Sequence, residues 1–431
     1  MPSLYRYIDS TMKEIRLIIL LPAPHENAPL QSRMIHATVG TVKYEALSYV
    51  WGDSIGKACL AITYVGQNLA RQEMDYITTT TIGANLDAAL RHIRKHSSEV
   101  VIWVGGICIN QSDKVEKSSQ VRLMALIYRE AAIILIWLGP ADECSDAAME
   151  AFHSIGTAAG QFAFEDEKQG HNGEVDLLFT MTSDETCEET TVDEKSQATR
   201  KMLDKISGAG SSAGVDAFPP SDVADLLTRS WWSRVWVLQE FLVATKAIFI
   251  YGHKRISEAT FDRAVNVYFG YSNYLIGRGT GQDLNATIYE KALMTARPPD
   301  QALHLFSRKT SSHRGSSLMS SMGTLYDQEK FMINATDPRD RGFALLNIVE
   351  DDLGLQPDYN LTCPEAYIQV SSAMLGSGQI GLLSYCRPHL NELCLLSWVV
   401  DWTTEVGHYL DPLERVLAGL SSSVYPEPEH E

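Results

Sequence analysis

Short apolar runs alternate with amphipathic segments over the first third of the chain. Four of these runs have the length and β-branched content of strands: "IRLIIL" (15–20), "EALSYVWG" (45–52), "CLAITYV" (59–65) and "AAIILIWLGP" (131–140). Strands that alternate with helices predict a mostly parallel sheet whose two faces are covered by helices. The pattern therefore predicts an α/β fold.

Two amphipathic segments between these runs are predicted helices. The first begins near Asn85, a residue type favoured as an N-cap, and its apolar positions recur at helical spacing: Leu86, Ala89, Leu90 and Ile93. The second follows Asp113, which stands three residues before Glu116 as in a capping box. Its apolar face is predicted to consist of Val121, Met124, Ala125 and Tyr128.

The segment between these helices is a candidate site. "VVIWVGGICI" (100–109) is predicted to be a buried strand that ends in a polar turn. Open α/β sheets bind ligands at the carboxyl ends of their strands, so Asn110, Gln111 and Asp113 are candidate ligand or catalytic residues. The alternative is that Asn110 and Asp113 only cap the next helix. Cys108 is expected to be a buried, unreactive thiol.

A tryptophan-rich segment, "RSWWSRVWVLQEF" (229–241), is predicted to be a buried helix. Trp232, Trp236, Gln239 and Glu240 would share one face of it. Aromatic walls with a few polar groups are typical of a small-molecule pocket. The same composition is also typical of a helix packed in a core, and core packing is the favoured interpretation.

Glu240 in such a helix requires a partner, because an unpaired buried carboxylate is costly. The candidate cations are Arg234, Arg339 and Arg341. Glu240 is the first candidate for a catalytic carboxylate, and Arg234 is a candidate ligand contact beside it.

The strand that ends at residue 52 contributes further candidates. Tyr49 and Trp51 are candidate ligand contacts, and Asp53 follows the turn residue Gly52. Asp53 is either a pocket carboxylate or an ordinary turn aspartate, and the turn role is favoured.

Composition and charge exclude several classes of function. The chain of 431 residues has 54 acidic and 36 basic residues, a formal charge of −18 that disfavours nucleic acid as a partner. "RHIRKH" (91–96) is too short to form a basic binding surface. Its His92 and His96 lack the glutamate of a metalloprotease helix and stand among cations, so no metal is predicted there. The chain has no glycine-rich phosphate loop, and no cofactor is predicted.

The composition and the sequence pattern also predict the cellular compartment and the domain organisation. No apolar stretch is long enough to span a bilayer, and the seven cysteines form no CxxC pair, so a soluble, cytoplasmic protein is expected, without contact with membranes. An acidic stretch at about 165–214 predicts a solvated, flexible insert. The predicted organisation is an α/β domain at 1–252 that contains this insert, and a mainly helical annex at 253–431 packed on it.

Three segments, in this order, resemble the fungal heterokaryon-incompatibility (HET) domain family: "YEALSYVWGD" (44–53), "WVGGICINQSDKVEKSSQVRLMALIYREAAIILIWLG" (103–139) and "RSWWSRVWVLQEF" (229–241). Three downstream segments resemble the region that usually follows this domain: "ATDPRDRGFALLNI" (335–348), "PDYN" (357–360) and "LLSWVVDW" (395–402). The resemblance rests on the joint order and spacing of these segments.

The resemblance implies a TIR/flavodoxin-like fold and a role in non-self recognition and regulated cell death. The protein would act by assembly as a homo-oligomer, or by binding a small-molecule ligand or a partner protein. Analogy with hydrolytic TIR relatives, which act on NAD, makes Glu116 a candidate catalytic carboxylate, although its capping-box spacing is the simpler explanation.

One departure from the family changes what can be transferred. The family's usual motif reads W-I-D-A-[IL]-C-I-N-Q, whereas this chain has Gly105 in the position of the acid, followed by Gly106. Any role of that aspartate cannot be carried over. The two glycines would widen the space above the strand, which favours a second hypothesis. In that hypothesis the chain is a stand-alone, cofactor-independent cyclase or isomerase of secondary metabolism that positions a hydrophobic substrate between tryptophans.

Overall fold

A nine-stranded mixed β-sheet forms the centre of the protein in its computed structural model. The structure describes residues 4–52, 57–64, 76–168, 220–277, 301–310, 317–326, 333–386 and 393–403. The strands are β1 (Glu14–Leu20), β2 (Leu30–Thr38), β3 (Glu45–Tyr49), β4 (Lys57–Tyr64), β5 (Tyr76–Gly83), β6 (Val100–Trp103), β7 (Ile133–Gly139), β8 (Ala247–Tyr251) and β9 (Lys254–Ser257).

The strand order across the sheet is β5-β4-β2-β1-β6-β3-β7-β8-β9. The four neighbouring strands β6, β3, β7 and β8 run parallel to one another. Outside them, β2 pairs with β4 in parallel, and the remaining neighbours, β1 with β2, β1 with β6, β4 with β5 and β8 with β9, are antiparallel. The α/β class is confirmed, whereas the mostly parallel sheet is confirmed only for its centre.

Helices connect the strands and make up most of the described chain after β9. They are α1 (Ala84–Ile93), α2 (Gly105–Cys108), α3 (Lys114–Glu130), α4 (Ser145–Lys168), α5 (Pro220–Thr228), α6 (Val237–Leu242), α7 (Glu258–Gly277), α8 (Gln301–Thr310), α9 (Leu318–Tyr326), α10 (Asp340–Phe343) and α11 (Cys363–Gly376). Short 3-10 helices lie at Ser10–Met12 and Ile380–Tyr385. Among the described residues, none of the helices has the length and apolarity needed to cross a membrane.

The core lies where the central strands meet the tryptophan-rich segment. Strands β1, β3, β6 and β7 are buried along nearly their whole length, as expected for strands covered on both faces. An aromatic cluster continues this core beyond β8, with Trp232 stacked on Phe249 and Phe249 stacked on Phe261. Stacked and edge-to-face rings in such a cluster add to the stabilisation that comes from burial.

Three local predictions were wrong. The predicted strand at 100–109 ends at Trp103, because the backbone N–H groups of Ile107 and Cys108 bond to the carbonyl of Val104 and turn the chain into α2. Within the tryptophan-rich segment, only α6 is helical and the residues before it form turns. Asn85 is not the cap of α1, which begins after Gly83.

Two predictions of organisation concern regions that the structure describes only in part. The acidic insert lies almost entirely outside the described residues, of which α4 ends at Lys168. Strand β9 lies just past residue 252 and pairs with β8, so the sheet continues across the predicted boundary between domain and annex. That division of the chain stays a prediction.

Candidate functional site

A buried polar cluster lies at the carboxyl end of β3. The hydroxyl of Ser48 donates a short hydrogen bond to Glu240 Oε2, and the indole Nε1 of Trp231 donates to Ser48 Oγ at 2.7 Å. The guanidinium of Arg234 donates to both carboxylate oxygens, at 3.3 Å and 3.2 Å. Both oxygens of Glu240 therefore have partners, as a carboxylate with 4% side-chain exposure requires.

The prediction that an arginine accompanies Glu240 is confirmed, and Arg234, whose side chain is 17% exposed rather than buried, is that residue. Arg339, another predicted candidate, instead pairs with Asp337 at 2.7 Å. Because two charged groups and two neutral donors share one enclosed cluster, the cost of removing the carboxylate from water is offset by its bonds. The arrangement orients four side chains from two parts of the chain, β3 and the tryptophan-rich segment.

Tyr49 lies beside this cluster and in front of α2. Burial raises the pKa of its hydroxyl, an effect that the charge of Glu240 strengthens and that of Arg234 weakens. A Cβ atom added to Gly106 would lie 2.5 Å from the Tyr49 hydroxyl oxygen. Within the described part of the chain, this hydroxyl has no hydrogen-bond partner. Gly106 is therefore the residue that makes room for the tyrosine.

The space in front of Gly105 is also filled. A Cβ atom at this position would lie 3.2 Å from the ring of Trp103, and the side-chain amide of Gln111 donates to the Gly105 carbonyl at 2.9 Å. The two glycines thus do not open a space above the strand. Tyr49 and Trp103 occupy that volume.

Cys108 is buried, as predicted, but it lies in α2 rather than in a strand. Burial raises the pKa of its thiol to about 12, and the backbone N–H of Val104, which points at the sulfur, opposes that rise. A thiol with so high a pKa is almost entirely protonated at neutral pH and is not a nucleophile.

The residues of the polar turn support the local backbone. Asp113 Oδ1 accepts hydrogen bonds from the backbone N–H groups of Val115 and Glu116, so the predicted cap is confirmed. Asn110 Oδ1 accepts from the backbone N–H of Ser112 at 3.2 Å. These bonds account for Asp113 and Asn110 without a ligand.

The Glu116 carboxylate does not complete the capping box. It accepts two hydrogen bonds from Arg16, at 2.6 Å and 2.9 Å, and one from the backbone N–H of Asn110. The Arg16 side chain is fully buried and also donates to the Cys108 carbonyl at 3.1 Å. Glu116 therefore neutralises a buried arginine, and this ion pair joins β1 to α2 and α3.

The predicted aromatic and amide contacts divide into buried and exposed residues. Trp232 is 3% exposed and donates from Nε1 to the Leu226 carbonyl, so the core interpretation is confirmed for it. Gln239 is fully buried and donates to the Ala344 carbonyl at 2.8 Å. Trp51, in contrast, is 52% exposed. Asp53 lies outside the described residues.

The sequence did not indicate the partners that come from the C-terminal part of the chain. Trp236 Nε1 donates to Asp340 Oδ2 at 2.9 Å, and the hydroxyl of Tyr359 donates to Asp340 Oδ1 at 2.5 Å. Burial raises the pKa of Asp340, and the bonds from Tyr359 and Trp236 oppose that rise. For the cluster around Glu240, the available signal was Ser48, a small polar residue between Leu47 and Tyr49 in β3.

The family of the central region is decided by comparison with known proteins. The family model described as "Heterokaryon incompatibility protein (HET)" matches residues 44–240. This region is a HET domain. All twelve predicted site residues, from Tyr49 to Glu240, lie within the matched range of the HET domain.

The similarity extends beyond the HET domain itself. The chain is 26% identical to "Heterokaryon incompatibility protein 6, OR allele" of Neurospora crassa, over 91% of this chain. It spans 58% of the length of that relative. No solved structure matches the chain. The similarity to a fungal incompatibility protein and the HET domain match confirm the resemblance that the three sequence segments indicated.

Proposed function

We propose that this chain acts in fungal heterokaryon incompatibility, and that its HET domain works by binding a partner protein or by assembly rather than by catalysis. The observation that carries the proposal is the closed bonding of the candidate site. Glu240, the first candidate for a catalytic carboxylate, is buried and bonded through both oxygens. A general acid or base must instead reach a substrate proton.

The other candidate carboxylates support the same conclusion. Asp113 caps α3, and Glu116 is held by the fully buried Arg16. The NAD-hydrolase analogy would assign catalysis to Glu116, and this ion pair argues against it. The cyclase alternative rested on open space above Gly105 and Gly106, which Trp103 and Tyr49 fill.

The strand order supports a TIR/flavodoxin-like fold for the HET domain. Numbered in chain order, the parallel strands β3, β6, β7 and β8 lie in the spatial order second, first, third, fourth. This is the beginning of the flavodoxin-like order. In the proposal, this central sheet is a rigid platform, and its antiparallel neighbours on each side are additions to it.

The candidate contact surface lies just past the carboxyl end of β3, where Trp51, two residues after the strand, is exposed. Tryptophan is enriched among residues that dominate the energy of protein interfaces. We propose that the downstream consequence of this contact is growth arrest followed by regulated cell death, in the cytoplasm of the fused cells.

Inducible expression of the full chain in a fungal host tests the proposal. The wild-type chain is expected to arrest growth, and Trp51→Ser is expected to abolish the arrest at equal protein level and equal melting temperature. Ile77→Ser is the matched control, because Ile77 is 73% exposed on the edge strand β5 and should leave the arrest unchanged. A healthy host with an altered metabolite profile would contradict the proposal and favour the enzyme.

A further inference from the structure

A cluster of possible metal ligands lies away from the candidate site, where three separate parts of the chain meet. Glu26 comes from the loop between β1 and β2, His92 from the last turn of α1, and His253 from the turn between β8 and β9. One ligand atom from each of these residues lies within 4.8 Å of the others. We propose that these three side chains bind a divalent transition-metal ion of the Zn²⁺ class.

The chemistry of the three ligands fits zinc. Two imidazoles and one carboxylate are a common protein ligand set for this ion, with a fourth position left to water or another ligand. Ligand atoms bound to one tetrahedral zinc ion lie roughly 3.4 Å apart. Glu26 and His253 are exposed, so small side-chain rotations would bring the three atoms to that spacing.

His92 is oriented as a metal-binding histidine usually is. Its Nδ1 lies 2.8 Å from the carbonyl of Ala88, and because a carbonyl only accepts hydrogen bonds, Nδ1 carries the proton. Nδ1 also lies 3.5 Å from Glu26 Oε1, so the exposed Glu26 side chain has to rotate towards Nε2, the ring nitrogen that keeps its lone pair for a metal. A second hydrogen bond that fixes the tautomer in this way is typical of protein metal sites. The ring also packs on Trp137, with centroids 4.9 Å apart.

The loop that carries Glu26 is held in place by two arginines of the α1 segment. Arg94 donates to the carbonyls of His25, Glu26, Ala28 and Pro29, and Arg91 donates to those of Glu26 and Ala28. The charge of Arg91 is also balanced by Asp87 at 2.7 Å. The nearby cations are therefore already bonded, and they fix the backbone of Glu26 relative to His92.

The sequence offers a different pair of histidines, at which no metal is predicted. His92 and His96 have helical spacing, but His96 Nδ1 lies 3.2 Å from the carbonyl of Pro24 and is not part of the cluster. The second imidazole comes instead from His253, 161 positions later. Bound zinc would join the β1–β2 loop, α1 and the β8–β9 turn, and so link both halves of the sheet.

Calorimetric titration of the full, chelator-treated chain with ZnCl₂ tests the proposal. The wild-type chain is expected to bind one equivalent of Zn²⁺. His253→Ala and Glu26→Gln are each expected to lower the affinity for Zn²⁺ about tenfold or more. Both residues are exposed, so neither variant should change the fold, which circular dichroism checks. His96→Ala is the matched control and is expected to bind as the wild type does.

A second measurement separates this site from zinc bound elsewhere on the chain. Zinc should raise the melting temperature of the wild type and of His96→Ala, but not that of His253→Ala, because only a ligand of the folded state stabilises it. The proposal is overturned if the wild type and His253→Ala bind zinc equally. It is also overturned if His96→Ala loses as much affinity as His253→Ala does.

Discussion

Glu240 and Tyr49, two buried residues near the carboxyl end of β3, differ in the hydrogen bonding of their side-chain oxygen atoms. Both oxygens of Glu240 accept hydrogen bonds from Arg234 and Ser48, whereas the Tyr49 hydroxyl has no partner among the described residues. Removing a partner from a buried ion pair leaves an uncompensated charge, but removing an unbonded hydroxyl leaves every other bond intact. Variants at the two positions should therefore differ sharply.

Glu240→Gln is expected to lower the free energy of unfolding by about 3 kcal/mol, the low end of the cost of breaking a buried ion pair, because Arg234 keeps some access to water. Urea denaturation measures this change. The matched control is Arg33→Gln, which removes an exposed ion pair with Glu99 and should cost less than about 1 kcal/mol. Equal losses in the two variants would contradict the structural role of the cluster.

Gly106→Ala is expected to destabilise the protein by about 2 kcal/mol, because its Cβ would meet the Tyr49 hydroxyl at 2.5 Å. Tyr49→Phe removes that oxygen, so it should be nearly neutral alone and should restore most of the loss in the double variant. Thermal denaturation of the four proteins of this cycle measures the coupling. Additive effects of the two substitutions would show that the two side chains do not compete for space.

Asp262 in α7 gives a pH-dependent prediction. Burial, helped by Glu258 and opposed by Asn266, raises the pKa of its carboxyl from 3.8 to about 6. Between those values the unfolded chain releases the proton before the folded protein does, so stability is lost as the pH rises through this window. The loss should reach about 3 kcal/mol. Asp262→Asn should remove it, and parallel stability curves for wild type and variant between about pH 4 and about pH 7 would contradict the assignment.

Single residues were predictable where the partner is close in sequence and unpredictable where it is distant. The cap at Asp113 and the buried thiol of Cys108 follow from their neighbours in the chain. The partner of Trp236, in contrast, is Asp340, 104 positions later. Local spacing carries no information about such contacts.

At the scale of elements, the tryptophan-rich segment shows why a helical pattern can fail. The backbone N–H of Val235 donates to the Asn334 carbonyl at 3.0 Å, and the N–H of Asn334 donates to the Ser233 carbonyl at 2.5 Å. This parallel bridge uses backbone groups that a helix would need. Tertiary contacts override local propensity here, as they often do.

Helices α4 and α7 pack closely because two glycines, one turn apart on α4, face α7. A Cβ atom at Gly156 would overlap the carbonyl oxygen of Thr260, whereas one at Gly160 would meet only the guanidinium of Arg263, at 3.0 Å. A backbone carbonyl cannot move aside, but an arginine side chain can. Small residues thus set the distance between these helices.

Gly156→Ala is therefore expected to destabilise the protein by about 3 kcal/mol. Gly160→Ala is the matched control and should be close to neutral, since the shift of Arg263 is offset by the better helix propensity of alanine. Chemical denaturation of both variants measures the difference. A Gly156→Ala protein as stable as Gly160→Ala would show that the helices lie farther apart.

At the scale of the whole molecule, the central strands were predictable and the outer ones were not. Strand β7 lies within a continuous apolar run and β3 within a mostly apolar one, as buried parallel strands do. Strands β2 and β5 are partly polar, "LQSRMIHAT" and "YITTTTIG", and were missed. The order in which strands pair depends on contacts between distant segments, so the antiparallel flanks could not be read from the pattern.

The HET domain and the chain beyond it are expected to unfold in one transition. Bonds from Trp236 to Asp340 and from Gln239 to Ala344 connect α6 to α10, and Ser118 accepts from the backbone N–H of Tyr359. Trp236→Phe leaves Asp340 short of a donor and should lower the midpoint of the single calorimetric transition by about 1 to 2 °C, as a loss of about 1 to 2 kcal/mol does in a chain of this size. Two separate transitions, with only one shifted, would contradict this coupling.

The sheet order also sets limits on how the protein can be divided. A fragment cut at residues 44 and 240, where the family match begins and ends, would lose β1, β2, β8 and β9. Strands β4 and β5 would lose their hydrogen-bonded connection to the centre of the described sheet, since β4 joins it through β2. Both β6 and β7 would become bare edges, which invite aggregation. Chimeras and expression fragments of this protein should therefore keep the chain from β1 through at least α10.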